Sequence, residues 1–122
     1  MKFLVTGGGG FIGWRVVRNI LARGLPVVIA DWSLDPLLPE RPEREGGRLV
    51  ASAPCDVSEF SDVARIFRHH PDITHAIHLA YLMSAEVEAN PHLGARVNIL
   101  GKVNLFEAAV NQRLGRLVFN SQ

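Results

Sequence analysis

Lys2-Phe3-Leu4-Val5-Thr6-Gly7-Gly8-Gly9-Gly10-Phe11-Ile12-Gly13 is the stretch that decides the fold. Lys2 to Thr6 is a short apolar run that stops at glycine, the pattern of a buried strand. Phe11 to Arg23 has helical periodicity: Ile12, Val16 and Ile20 share a face, Val17 and Leu21 widen it, and Arg15, Arg18 and Arg23 fall outside it. Gly24 suits the position just past a helix C-terminus. The glycines thus join a strand to a helix N-terminus, where unpaired N–H groups and a partial positive charge can receive a pyrophosphate. A side chain there would hold the phosphate away. Two dinucleotide registers fit, Gly8-x-Gly10-x-x-Gly13 and Gly7-x-x-Gly10-x-x-Gly13, and composition does not choose between them. No Lys-Ser or Lys-Thr follows the glycines, which argues against a nucleoside-triphosphate P-loop.

Outward from the loop, Pro26 to Ala30 reads as a second buried strand that closes on Asp31, 18 residues beyond Gly13. A carboxylate there is placed to accept hydrogen bonds from the 2′- and 3′-hydroxyls of an adenosine ribose, and a 2′-phosphate would meet a like charge. Trp32 and Ser33 come next, with no adjacent cation, so NAD is expected over NADP. Residues 32 to 47, with Pro36, Pro39, Pro42, Gly46 and Gly47, have loop composition. Leu49 to Ala51 reads as a short third strand, Ser58 to His69 as a helix with Phe60, Val63 and Phe67 on one side, and Thr74 to Ala80 as a fourth strand. Asn90-Pro91 predicts a capped helix start. That helix runs to about Asn111, and Arg116 to Asn120 reads as a fifth strand. Strands alternating with helices predict an α/β, doubly wound parallel sheet, the Rossmann fold, with strand order 3-2-1-4-5.

With 122 residues the chain holds one domain, 1–122. Its net charge of +1, with both signs dispersed, argues against a nucleic-acid groove or a membrane surface. The apolar start is too short for a signal peptide or a membrane span. Cys55 is the single cysteine, has no metal-ligand neighbour, and fits a buried residue in a reducing compartment. Cytoplasm is the expected location, and no metal site is expected.

Further motifs, taken in order, resemble the extended short-chain dehydrogenase/reductase family, the NAD-dependent sugar-nucleotide epimerases and dehydratases. Thr6 to Gly13 is similar to that family's T-G-x-x-G-F-I-G, which favours the wider glycine register. Asp31 matches its ribose-binding acid. Cys55-Asp56-Val57 resembles its G-D-V, with Cys55 in place of glycine; the resemblance implies that Asp56 binds the adenine amino group. His78-Leu79-Ala80 resembles H-x-A-A, whose backbone lines the nicotinamide side, and Tyr81 departs from the second alanine. Val97 to Gly101 resembles N-V-x-G-T, with Lys102 in place of threonine, and Arg116 to Ser121 resembles R-F-V-Y-x-S. The implied cofactor contacts are Gly7, Gly10, Phe11, Ile12, Gly13, Asp31, Asp56, Val57, Leu79, Ala80, Tyr81 and Asn98. For Asn98 the alternative is a bond to a neighbouring loop. Gln122 falls at or beside the family's catalytic Ser/Thr.

The family's Tyr-x-x-x-Lys pair does not occur: the only tyrosine is Tyr81 and the only lysines are Lys2 and Lys102. No catalytic residue is therefore expected within the chain, which reads as the front of a longer protein whose substrate domain is missing. Two functions compete. One is the NAD-binding part of an epimerase, dehydratase or reductase acting by hydride transfer on a nucleotide sugar. The other is a non-catalytic dinucleotide-binding or complex-forming protein. The helix from Pro91 carries two apolar stripes: Ile99, Val103, Phe106 and Val110; and Leu93, Val97 and Leu100. Both are expected to be buried in the intact protein, one of them against a partner subunit, as the resemblance to dimeric members implies. His69 and His70 are expected at a helix C-terminus, where a positive ring suits the dipole. His75 and His78 should face opposite sides of a strand and serve packing.

Overall fold

Strand β1 (Phe3–Thr6) lies at the centre of a parallel sheet, flanked by β2 (Val27–Asp31) and β4 (His75–His78). A computed structural model describes residues 1–32 and 49–120. The expected proline-rich loop over residues 32–47 lies outside the described residues from 33 onward, as does Gln122. β3 (Leu49–Pro54) and β5 (Arg116–Phe119) complete the order β3-β2-β1-β4-β5, as the sequence predicted. Thr6 aligns with Ala30 on one side and His78 on the other. Chain order therefore reverses at the C-terminal end of β1, the place where doubly wound sheets bind ligands.

Each face of the sheet has its own core. Successive strand residues point to opposite faces. Val5, Val27 and Ile29 accordingly pack under α1 (Phe11–Ala22) with Val17, Ile20 and Leu21. Leu4, Val28 and Ala76 pack on the other face with Val63, Ile66 and Phe67 of α2 (Phe60–His69) and Leu105 and Ala108 of α5 (Gly101–Gln112). Full burial of side chains such as Leu4 or Val17 contributes roughly 1.5–3 kcal/mol each. The buried face of α1 differs from the predicted stripe: it runs Gly13, Val17, Ile20 and Leu21, while Ile12 is 56% exposed. Contact between Gly13 and the glycine loop sets this rotation. An added Cβ at Gly13 would overlap the Gly7 carbonyl, so this face of the helix is turned toward the loop.

Three further departures are local. β3 extends past Ala51 to Pro54; as an edge strand it tolerates a proline that an interior strand would not. A helix α3 (Ser84–Ala89) occupies a stretch to which the sequence reading assigned no element. The predicted 91–111 helix starts as expected, with Asn90 accepting from the Leu93 amide at 3.1 Å and Pro91 in the first turn. It is then interrupted: α4 (Pro91–Ala95) passes through a π-helical turn (Arg96–Leu100) into α5. Among the described residues no helix is long and apolar enough to cross a membrane.

Candidate functional site

The glycine loop turns off β1 at Gly7, which takes φ +71°, a left-handed conformation that side chains resist. Its amide donates to the Ala30 carbonyl at 2.7 Å, and its carbonyl accepts from the Gly10 amide at 3.1 Å. A Cβ on Gly7 would also lie 2.9 Å from the Ala80 nitrogen, so β4's exit packs directly on the loop. Gly10 then opens α1 as a cap without a side-chain bond, and the first turn holds no acidic residue. The helix thereby presents its unpaired amides and positive end to an anion. Gly9 donates its amide to Asp31 Oδ2 at 3.1 Å, which ties the carboxylate at the end of β2 to the loop.

A cavity of about 190 Å³ opens at this point, lined by Gly7, Gly10, Asp31, Trp32, Cys55, Asp56, Val57, Leu79, Ala80, Tyr81, Leu82 and Val97. Eight of the twelve expected cofactor residues are among them: Gly7, Gly10, Asp31, Asp56, Val57, Leu79, Ala80 and Tyr81. The lining glycines are Gly7 and Gly10, in agreement with the wider register; Gly8 instead packs on β2, where a Cβ would come within 2.8 Å of Ile29. Both charged lining groups are carboxylates, Asp31 and Asp56. Burial, reinforced by Asp62 and Asp56, pushes the Cys55 thiol up to about 12, so it lines the cavity as a neutral group.

Val57 stands between this cavity and α5. Gly101 lets the helix approach, since a Cβ there would lie 2.8 Å from Val57 Cγ2, and the buried Asn104 amide donates to the Val57 carbonyl at 2.8 Å. Leu82 is gripped by Asn98, whose Oδ1 accepts from its amide at 2.7 Å and whose Nδ2 donates to its carbonyl at 3.0 Å.

Four expected residues do not line the cavity. Phe11 is 80% exposed and carries Arg15 over its ring, and Ile12 points outward on the same turn. Gly13 sits behind the loop as a packing residue. Asn98 bonds to the loop at Leu82 and borders a smaller pocket with His78, Ala80, Tyr81, Lys102 and Asn120. Trp32, Cys55, Leu82 and Val97 were not foreseen as lining. The first three adjoin named residues or lie one step beyond them, which was the available signal. Val97 likewise adjoins the expected Asn98, and it sits in the π-helical turn, which leaves no mark in the sequence. His70 caps the C-terminus of α2 as expected, but burial, then the neighbouring Lys2 ammonium 3.2 Å from Nδ1, hold it below its ordinary value, which opposes a charged ring. His75 lies against Phe3, whereas His78 is buried. No cluster of metal-ligating side chains occurs among the described residues.

A model of the NAD dependent epimerase/dehydratase family matches residues 3–121. Short-chain dehydrogenase/reductase family 42E member 1 of Macaca fascicularis is 34% identical over 119 residues, covering 97% of this chain and 28% of the relative. UDP-glucose 4-epimerase of Thermus thermophilus, solved in complex with NAD, is similar over the whole chain and 38% of its own, with TM-score 0.81 and 35% identity. UDP-glucose 4-epimerase of Bifidobacterium longum, solved with NAD+ and UDP, gives a TM-score of 0.88 at 26% identity over 100% of this chain and 37% of its own. The chain thus spans 28–38% of the length of these relatives.

Proposed function

Since this chain belongs to the NAD dependent epimerase/dehydratase family, we propose that it is the NAD-binding portion of an epimerase, dehydratase or related oxidoreductase acting on a nucleotide sugar. The observation that carries the proposal is the meeting of Gly7, Gly10, Asp31 and Asp56 in one cavity at the switch point of the sheet. The cradle fits the group: the glycine loop admits a pyrophosphate against the α1 N-terminus, Asp31 accepts from ribose hydroxyls, and Asp56 accepts from the base. Bound nicotinamide would supply hydride transfer. The chain's own part is to bind the adenosine half, orient it through Asp31 and Asp56, and shape the far wall with Leu79, Ala80 and Tyr81. Preference for NAD over NADP belongs to the same proposal. Its support is the Asp31 carboxylate fixed on Gly9, against which a 2′-phosphate would bring like charge.

Dimerisation through the 91–111 helix and a cytoplasmic setting complete the proposal. The first is supported by the exposed stripe of Ile99, Val103, Phe106 and Val110, the second by the lone Cys55, which has no disulfide partner. Calorimetric titration with NAD and NADP tests the cofactor assignment. NAD should bind more tightly, and Asp31→Ala should weaken it by about 1.5–3 kcal/mol, the worth of hydrogen bonds to a charged group, while narrowing the gap to NADP. Tighter NADP binding by the unmodified chain would reject the assignment.

A further inference from the structure

We propose that Ser58 sets the base selectivity of the cavity, by turning Asp56 into a single outward-facing acceptor that takes adenine and rejects a purine with a carbonyl in place of the 6-amino group. The proposal rests on a dinucleotide occupying the cavity. Asp56 begins the turn between β3 and α2, and its Oδ1 is already saturated: the Ser58 amide donates to it at 3.0 Å and the Ser58 hydroxyl at 2.6 Å. The Asp56 amide donates to Asp62 Oδ2 at 3.0 Å, and Asp62 is itself paired with Arg65. Ser58 is 6% exposed, so its hydroxyl cannot easily be replaced by water. The carboxylate is therefore held at both backbone and side chain. Its Oδ2 makes no hydrogen bond within the described residues, and Asp56 lines the cavity beside Trp32, the neutral Cys55 thiol and Val57.

A carboxylate only accepts hydrogen bonds. An exocyclic amino group meeting Oδ2 makes a charge-assisted bond, whereas a carbonyl oxygen there meets like charge and leaves two acceptors facing each other. Rejection requires that the carboxylate not swing away. Free of Ser58, it could rotate, share both oxygens with water and accommodate either base. Ser58 is thus a positioning residue that acts through Asp56.

The test is calorimetry on the full chain with NAD and with nicotinamide hypoxanthine dinucleotide, which carries oxygen in place of the amino group. Wild type should prefer NAD by about tenfold or more. Ser58→Ala should weaken NAD by about fivefold or more and leave the hypoxanthine analogue unchanged, so that the ratio collapses toward one. Ser58→Thr, which keeps the hydroxyl, should retain the preference. Equal weakening of both dinucleotides by Ser58→Ala would mean that Ser58 only shapes the turn, and would overturn the proposal, as would a wild-type ratio of one. Failure of wild type to bind either dinucleotide would overturn the dinucleotide assignment itself, and this proposal with it. If Ser58→Ala melts before binding can be measured, Asp56→Asn decides: its amide can donate to the hypoxanthine carbonyl, so the ratio should move toward the analogue. An unchanged preference for NAD would reject the role of Asp56 and hence of Ser58.

Discussion

Thr6 and His78 meet where β1 and β4 end side by side, and one hydroxyl closes the junction. Thr6 Oγ1 accepts the amides of Leu79 at 3.1 Å and Ala80 at 3.3 Å and lies 2.6 Å from His78 Nδ1. Two N–H groups donate to that oxygen, so its own proton is left for Nδ1, and His78 is the neutral tautomer protonated on Nε2. Burial, then the charge of Lys102, lowers His78 from 6.5 to about 4. The unfolded chain therefore takes up a proton that the folded chain refuses. This stabilisation is complete above about pH 6.5 and is lost as pH falls from there toward 4; it amounts to about 3 kcal/mol. Urea unfolding at pH 7.5 and 4.5 should show the loss in wild type. His78→Asn, which keeps an acceptor for Thr6, should flatten it; an equal loss in the variant would assign the pH dependence to other groups. The sequence marked His78 as a packing residue but could not name its partner, because Thr6 is 72 residues away and only the β1–β4 register brings the two together.

Among the elements, the π-helical turn does the most to build the site. A π turn inserts one residue into the helical ladder and rotates everything after it by about 100° relative to a 3.6-residue period. Within the turn Asn98 meets Leu82 and Val97 lines the cavity, and just after it Gly101 packs against Val57. The same rotation explains why the predicted stripe of Leu93, Val97 and Leu100 does not survive intact. Val97 is buried, but the inner face continues through Gly101, Asn104, Leu105 and Ala108, and Leu100 turns outward. Periodicity read these helices correctly in kind because apolar spacing reports which face is buried. It could not show a one-residue insertion, which costs the pattern a single phase step. It also passed over α3, whose six residues Ser84 to Ala89 carry one large apolar side chain, Val87. Asn98→Ala should remove both bonds to Leu82 and destabilise the chain by about 1–3 kcal/mol, since the Leu82 amide and carbonyl are then left without that partner. Thermal or urea unfolding checks the magnitude. A change below about 0.5 kcal/mol would mean that the loop after β4 holds itself.

At the scale of the whole molecule, sheet order was legible because right-handed crossovers and the glycine loop leave few alternatives, and site positions were legible wherever a motif fell on a strand end. The exposed apolar face of α5 with the preceding turn was legible as a stripe, but not what covers it. Ile99, Val103, Phe106 and Val110 stand open in this chain, with Phe106 resting edge-on against Phe119. If two copies pair there, sedimentation should show association that rises with concentration, and Val103→Glu should return the chain to monomer; a strict monomer at all concentrations would reject the pairing. Chemistry divides differently from binding. The cavity collects the acceptors and the glycine loop on which the proposed dinucleotide binding rests. Its one aromatic hydroxyl is Tyr81, followed by Leu82, Met83, Ser84 and Ala85, so no lysine stands four residues on. A positioned acid–base group contributes about 10²–10⁴-fold to a reaction of this class, and the Tyr-x-x-x-Lys pair that provides it in the resembling family is not among these 122 residues. The purified chain should therefore bind NAD yet give no hydride transfer above background when nicotinamide absorbance is followed with a panel of nucleotide sugars. Gly13→Ala, whose Cβ would overlap the Gly7 carbonyl, separates trace contamination from real activity, since it should abolish binding by this chain and leave a contaminant untouched. Sustained turnover that disappears with Gly13→Ala would place the catalytic groups inside the chain, and His78 and Lys102, which share the smaller pocket beside Tyr81, would be the residues to substitute next.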